Sequence, residues 1–100
     1  MSDLEYIFNY FGYETQRRKL IEEVNEFLDE ILLFEKGIGD IKKVEEELVD
    51  VFILLKQFHI YYEMEDEELI LVFKEKINRI FEFIQIGNDP NLQIIYETLH

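Results

Sequence analysis

Apolar residues recur at every third or fourth position along most of the chain, which is the spacing of amphipathic α-helices. No segment alternates apolar and polar residues in the way that a half-buried strand does. The pattern therefore predicts an all-α fold, an antiparallel helical bundle of about four main helices joined by short loops. These helices are expected at about residues 3–11, 14–35, 41–64 and 67–86, and a short C-terminal helix is expected at about 91–99.

Residues that favour helix ends mark these boundaries. Gly37 and Gly39 follow the second helix, as glycines often follow a helix C-terminus. Asp40 and Asp66 are expected to cap the third and fourth helices, and Pro90 suits the first turn of the last helix. Because the connections are short, consecutive long helices should pack antiparallel.

The third helix contains the run LVDVFILL at residues 48–55, which is apolar nearly all round. Val49, Ile53 and Ile60 lie opposite its predicted core-facing stripe, so this helix needs a second partner, which we expect from another chain. Asp50 is the single charge in the run. The core-facing stripes are predicted as Leu20, Val24, Phe27, Leu28 and Ile31 in the second helix, and as Val44, Leu48, Val51, Leu55, Phe58 and Tyr62 in the third.

The composition strengthens the expectation of an oligomer. The chain has 100 residues, which predicts a single domain over residues 1–100, yet 48% of them are hydrophobic and none is alanine. A small domain buries only about two-thirds of the surface of its unfolded chain. So many large apolar side chains exceed what one small core can hide, and we expect a homodimer or homotetramer that shares a core between chains.

The balance of charge and the missing residue types exclude several functions. The net charge is -13, which argues against a nucleic-acid partner because phosphate contacts need clustered Lys and Arg. There is no Cys and there are only two His, so thiolate chemistry is excluded and imidazole metal sites have little support. No apolar run is long enough to cross a membrane and no signal pattern is present, so we expect a soluble cytoplasmic protein without a membrane partner.

Two pairs of acidic residues are spaced to share a helix face. Glu23 and Glu26 are three apart in the second helix, and Glu47 and Asp50 are three apart in the third. Counted from the turn at about 1.5 Å per residue, the two pairs differ in height by only about 4–5 Å. Four carboxylates this close repel one another, and a cation that neutralises them should be a hard one, Mg²⁺ or Mn²⁺.

The alternative for these acids is an ordinary solvated helix surface, which is common in a chain with 23 Asp and Glu. Asp50 favours the metal site, because an acid inside an apolar run is expected to be buried and must then be paired, protonated or bound to a cation. Gln16 and Lys19 precede Glu23 on the same flank of the second helix, so both could reach the rim of such a site.

The fourth helix carries Lys76 and Arg79 three residues apart. Their long stems can pass apolar neighbours and deliver charge to an acidic or phosphate site. Pairing with surface acids such as Glu75 or Glu82 is an equally good interpretation of these two residues.

The two acidic motifs together resemble the signature of a known enzyme family. Glu22 and Glu23 are followed by Glu26 and, after 20 further residues, by Glu47 and Asp50, in the pattern EExxE…ExxD. This pattern and the segments around it, FGYETQRRKLIEEVNEF and VEEELVDVFILLKQF, resemble the MazG-like nucleotide pyrophosphohydrolases of the all-α NTP pyrophosphatase superfamily. The resemblance covers about residues 11–84.

The resemblance implies hydrolysis of a nucleoside triphosphate between its α and β phosphates by a bundle assembled as a dimer or tetramer. It implies Mg²⁺, or Mn²⁺, as the cofactor, which would polarise the phosphate and lower the pKa of bound water. Glu22 is the candidate that orients or deprotonates the attacking water. The implied metal ligands are Glu23, Glu26, Glu47 and Asp50, and the candidate substrate-binding residues are Gln16, Lys19, Lys76 and Arg79.

Two other functions fit parts of the sequence. A non-catalytic acidic helical oligomer could act as a protein-binding inhibitor or DNA mimic, with its charge directed at a basic partner. Asp50 argues against this interpretation, because a mimic needs its acids on the surface. A carboxylate di-iron bundle is excluded, since that site pairs inner Glu residues with His at i+3, where this chain has Glu26 and Asp50.

Overall fold

The computed structural model describes residues 1–88 and Asn91. Four helices form in this part of the chain: α1 (Asp3–Phe11), α2 (Tyr13–Glu35), α3 (Ile41–Tyr61) and α4 (Asp66–Asn88). No strand occurs among the described residues, so the all-α class is confirmed. The predicted C-terminal helix, including Pro90, lies outside the described residues except for Asn91. None of the helices in the described part is long and apolar enough to cross a membrane.

The chain divides into two compact units. Residues 1–63 form the first unit, in which α1, α2 and α3 pack against one another. The second unit begins at Met64 and contains α4. The single domain expected over residues 1–100 stays a prediction.

The turn between α2 and α3 sets the register of the first unit. Gly37 has φ of +78°, a conformation that residues with a Cβ rarely adopt. Gly39 has no room for a side chain, because a Cβ there would lie 2.6 Å from the backbone nitrogen of Phe34. Asp40 then caps α3, accepting a hydrogen bond from the backbone N–H of Lys42 at 3.0 Å, as predicted. These local features bring α3 back antiparallel to α2.

The packed face of α2 contains polar residues as well as apolar ones. Gln16 and Glu23 are buried, and Leu20 and Phe27 between and beyond them are half-buried. These positions alternate by three and four residues, which is the spacing of one helix face. The predicted α2 stripe was therefore wrong in part: of its members, Val24 and Leu28 are exposed.

The packed face of α3 is displaced from the predicted stripe in the same way. Val51, Leu54 and Gln57 are buried, whereas Leu48 and Leu55 of the predicted stripe are exposed. The run at 48–55 is apolar on both sides of the helix, so the apolar pattern alone does not determine which side faces α2. Because Gln57 is polar, the apolar pattern did not place it on the buried face of α3 with Val51 and Leu54.

Aromatic rings fill the end of the first unit opposite the α2–α3 turn. Phe8 of α1 is buried and lies against Phe58 and Tyr61 of α3, with ring centroids 5.4 and 4.9 Å away. Tyr13, at the start of α2, contacts the same two rings and shares a hydrogen bond between hydroxyls with Tyr62. This cluster fixes α1 across the ends of α2 and α3.

Two helix boundaries differ from the predicted ones. α3 ends at Tyr61 rather than near Met64, because Glu63 adopts a left-handed conformation with φ of +53°. α4 extends through Gly87, so that glycine does not end the helix. The first turn of α4 is acidic, which suits the positive end of the helix dipole, and none of its residues is buried.

Candidate metal centre and adjoining pocket

Three of the four predicted metal ligands come together between α2 and α3. Glu23 and Glu26 of α2 and Glu47 of α3 each place one carboxylate oxygen within 4.8 Å of the others. The i, i+3 spacing puts the two α2 acids on one face, and the turn brings Glu47 to the same level. Glu23 is only 5% exposed, Glu47 is half-buried and Glu26 is exposed.

Two oxygens of this cluster are buried without a partner. They are Oε2 of Glu23 and Oε2 of Glu47, neither of which accepts a hydrogen bond. Leaving a buried carboxylate oxygen unpaired costs on the order of 1–3 kcal/mol or more. Oxygen donors from three carboxylates are the ligands that a hard divalent cation prefers, so these residues fit Mg²⁺ or Mn²⁺.

Lys19 supplies one positive charge at the edge of the cluster. Its Nζ lies 3.0 Å from Oε1 of Glu23, one helical turn away. The hydrogen bond to Glu23 and the charge of that carboxylate raise the pKa of Lys19. Burial acts to raise the pKa of Glu23, but the hydrogen bond and charge of Lys19 outweigh it, so the pKa of Glu23 lies below its ordinary value. Glu23 is therefore ionised, with one oxygen paired and the other unpaired.

Glu47 has a raised pKa because it is partly buried close to the other two acids. Burial raises the pKa of Glu47 to about 7, and the closeness of the Glu23 carboxylate and the charge of Glu26 act in the same direction. Without a cation, the cluster at neutral pH thus carries a proton on Glu47 in part of the molecules. A cation bound among the three carboxylates would compete with that proton.

Asp50 does not occupy the position that the sequence led us to expect. It is exposed in the chain and lies outside the three converging carboxylates. Because the buried line of α3 passes through Val51 and Leu54, Asp50 falls at its edge, and the expectation of a buried acid was wrong. Partial loss of water and the charge of Glu23 nevertheless raise the pKa of Asp50, and Asp50 lines the same pocket as Glu23.

The other predicted site residues lie in three places. Glu22 is exposed on α2, next to Glu23 but outside the cluster. Gln16 and Lys19 line a pocket beside the cluster. Lys76 and Arg79 are exposed on α4, in the second unit, so their predicted role in substrate binding stays a prediction.

The pocket adjoins the acidic cluster and has a volume of about 490 Å³. Lys19, Glu23 and Asp50 line its charged end. The rest of the wall consists of two glutamines, Thr15 and apolar side chains from α1 and α3, among them Phe11 and Leu54. The pocket therefore has one charged end, at the acidic cluster, and a less polar end beside the two glutamines.

Gln57 is a polar pocket residue that the sequence analysis did not single out. Its side chain is 2% exposed, and its Oε1 accepts a hydrogen bond from Nε2 of Gln16 at 2.9 Å. The available signal was its spacing, because Gln57 follows Val51 and Leu54 at intervals of three. A glutamine in phase with two core positions is a candidate for a buried polar contact.

Comparison of the chain with protein-family models, with curated proteins and with solved structures finds no match. The features of the chain that bear on function are therefore its two acidic motifs and the geometry of the cluster and its pocket.

Proposed function

We propose that this protein is a metal-dependent hydrolase that converts nucleoside triphosphates to nucleoside monophosphates and pyrophosphate. The observation that carries the proposal is the pair of buried, unpartnered oxygens on Glu23 and Glu47, set among three converging carboxylates. Such oxygens are costly unless a ligand pairs with them. The motifs around them resemble those of MazG-like pyrophosphohydrolases.

Glu23, Glu26 and Glu47 would hold Mg²⁺ or Mn²⁺, and the carboxylate of Asp50 would join them from the edge of the cluster. An ion bound there would polarise the substrate phosphate and lower the pKa of water. The residues of the chain orient the reactants. Lys19, which pairs with one oxygen of Glu23, would offer its remaining donors to a phosphate.

Glu22 is the proposed group that orients or deprotonates the attacking water, a role that the resemblance to the pyrophosphohydrolases supports. Attack breaks the bond between the α and β phosphates, and pyrophosphate leaves. Lys76 and Arg79, which lie on α4, are proposed to neutralise the negative charge that develops on the leaving group.

We also propose that the protein assembles as a homodimer or homotetramer. Val49 and Ile53 of the predicted second face of α3 are exposed, as is the neighbouring Phe52, whereas Ile60 is half-buried. Burial of these side chains against a second copy would remove their contact with water. Sedimentation at micromolar concentration should show a dimer or a larger species, and a stable 12.2 kDa monomer would contradict the proposal.

The rival interpretation is the acidic inhibitor or DNA mimic. The exposure of Asp50 removes the reason for which the sequence disfavoured it. Glu23 replaces Asp50 as the discriminating residue, because a mimic gains nothing from a carboxylate that is 5% exposed and has an unpaired oxygen. A protein that binds a basic partner and hydrolyses no nucleotide would support the mimic.

The experiment that tests the proposal is a screen of the common NTPs and dNTPs with Mg²⁺ or Mn²⁺, in which pyrophosphate is resolved from orthophosphate. Release of pyrophosphate together with a monophosphate supports it. Direct release of orthophosphate with a diphosphate left behind indicates another class of hydrolase. No turnover of any nucleotide with either metal contradicts the enzyme and favours the binding protein.

A further inference from the structure

Two consecutive hydrogen bonds connect the three helices of the first unit at the end of the pocket that Gln16 and Gln57 line, here called the amide end. Gln57 on α3 donates through Nε2 to the backbone carbonyl of Leu4 on α1 at 3.4 Å. Its Oε1 accepts from Nε2 of Gln16 on α2 at 2.9 Å. Gln57 and Gln16 are both buried, and both line the pocket.

The backbone carbonyl of Leu4 determines which way both amides point. A carbonyl oxygen only accepts, so Gln57 must turn its NH₂ group toward Leu4 and its oxygen toward Gln16. Gln16 must then present its own NH₂ group to Gln57. The carbonyl oxygen of Gln16 is thereby left for a ligand in the pocket, and a ligand group that meets it must be a hydrogen-bond donor.

The position of Gln16 indicates which part of a nucleotide it meets. It precedes Glu23 by seven residues on α2, a rise of about 10 Å along the helix. Oxygens bound to Mg²⁺ lie only about 2 Å from the ion, so a phosphate held at the acidic cluster does not also contact Gln16. Phe11 and Leu54 beside Gln16 suit a ring rather than a phosphate chain.

The geometry points to Gln57 as a positioning residue that holds the carbonyl oxygen of Gln16 toward the pocket, where it accepts a hydrogen bond from an N–H group of the nucleobase. This inference rests on the proposed function for the identity of the ligand. Gln57 acts through Gln16 and contributes nothing to the reaction at the phosphates. Its loss should therefore affect recognition of the base rather than the chemical step.

The test compares four variants with the wild-type protein. Gln57→Leu removes both hydrogen bonds and frees the amide of Gln16 to rotate. Gln57→Glu keeps an oxygen that accepts from Gln16 but loses the donor to the carbonyl of Leu4, so it separates the orientation of Gln16 from the bond to Leu4. Val51→Ala is the matched control, since Val51 is buried on the same face of α3 but does not line the pocket. The double variant Gln16→Leu/Gln57→Leu leaves no amide unpaired.

The measured quantities are kcat and KM for the four NTPs with Mg²⁺. Gln57→Leu should raise KM for the preferred nucleotide about tenfold, as expected for loss of one hydrogen bond to a buried group, and should narrow the differences among bases. Gln57→Glu should retain the wild-type order of preference, and Val51→Ala should change neither KM nor that order. If Gln57→Leu does not fold, the double variant should show the same loss of preference.

Three results would overturn the inference. One is a lowered kcat at unchanged KM, which places Gln57 in the chemical step. Another is a rise in KM that is equal for all four NTPs, which shows that Gln57 has no part in recognition of the base. The third is a rise in KM in Val51→Ala that matches the one in Gln57→Leu, which shows that the role of Gln57 is structural. If the double variant keeps the wild-type order of preference among the four NTPs, the inference is likewise wrong.

Binding of nucleoside monophosphates without metal separates this inference from the proposed function. If no triphosphate is hydrolysed but a monophosphate binds in a manner that depends on Gln57, the proposed hydrolase function is wrong and the inference about recognition of the base is supported. If hydrolysis occurs and the preference among bases ignores Gln57, the enzyme stands and this inference fails. If no monophosphate binds and no triphosphate is hydrolysed, both fail.

Discussion

Two buried polar positions on the same face of α2 differ in how their polar atoms are paired. At Gln16, hydrogen bonds from one amide to the next and then to Leu4 pair the buried groups within the protein. At Glu23, seven residues further along, one oxygen is paired with Lys19 and the other is buried with no partner. The two amides are thus paired with each other and with the backbone, whereas two carboxylate oxygens at the acidic end have no partner in the protein.

The paired amides stabilise the fold, whereas the crowded carboxylates destabilise it. Paired amides add stability and rigidity, and removing one leaves the other unpaired. Crowded carboxylates reduce stability until a ligand neutralises them, which is typical of a site kept for function. The two ends should therefore respond in opposite ways to substitution and to metal.

The largest expected effect is on catalysis at the acidic end. Glu23→Gln and Glu47→Gln each keep the shape of the side chain and remove a carboxylate from the proposed metal centre. We expect the rate of pyrophosphate release to fall about 100-fold or more, since even residues that only support metal ligands contribute up to that factor. Initial rates at saturating nucleotide and Mg²⁺ provide the measurement.

Glu30→Gln is the control for both variants. Glu30 lies on α2, is half-buried like Glu47 and is outside the converging carboxylates. It should retain wild-type activity. An equal loss in Glu30→Gln would show that any acid on this helix matters, and full activity in Glu47→Gln would exclude Glu47 as a ligand.

The next largest effect is on stability at the amide end. Gln57→Leu leaves the buried amide of Gln16 without its partner, so the free energy of unfolding should fall by about 1–3 kcal/mol. The double variant Gln16→Leu/Gln57→Leu should recover part of that loss, since no amide is then left unpaired. Urea unfolding of the metal-free proteins measures both. Losses that simply add would mean that the two glutamines do not interact.

The smallest effect is a pH dependence at the acidic end. The pKa of Glu47 is about 7 in the folded protein against 4.5 for an ordinary glutamate, so the folded state binds the proton more tightly than the unfolded state does. The contribution to stability is fully present below the unfolded pKa and is lost as pH rises through the folded one. Between about pH 5 and about pH 8, metal-free wild type should lose stability relative to Glu47→Gln.

Thermal unfolding over this range gives the comparison, because a difference of about 1 kcal/mol shifts Tm by about 4–8 °C in a domain of this size. The lowered pKa of Glu23 acts in the opposite direction, but at lower pH and in both proteins. Saturating Mg²⁺ should abolish the difference in slope. Parallel profiles of wild type and Glu47→Gln without metal would mean that Glu47 does not carry the shifted proton.

The sequence predicted the helices well because their signals are local. Apolar spacing placed α1 and α2 within a residue of their ends, and Asp40 caps α3 as expected. The convergence of Glu23, Glu26 and Glu47 also followed from helix geometry and the length of one turn. All of these depend on neighbours in the sequence.

The inner faces of the helices were harder to predict, because burial is a property of packing. Leu54 and Leu55 are equally apolar, yet only Leu54 is buried. Asp50 and Leu55 were both expected to be buried. They lie in a run that is apolar on both sides of the helix, so the sequence does not show which side is packed. Gln57 was overlooked because a polar residue in a core counts against burial until its partner, Gln16, is known.

The most direct test of the central claim is a calorimetric titration of the metal-free protein with Mn²⁺ and with Mg²⁺ near neutral pH. Wild type should bind a divalent cation at a saturable site, Glu23→Gln should lose that binding, and Gln57→Leu should retain it. Bound metal should also raise the Tm of wild type by roughly 10 °C or more at about a hundred times the Kd. No binding to wild type, or equal binding to Glu23→Gln, would show that the unpaired oxygens of Glu23 and Glu47 are not a metal centre.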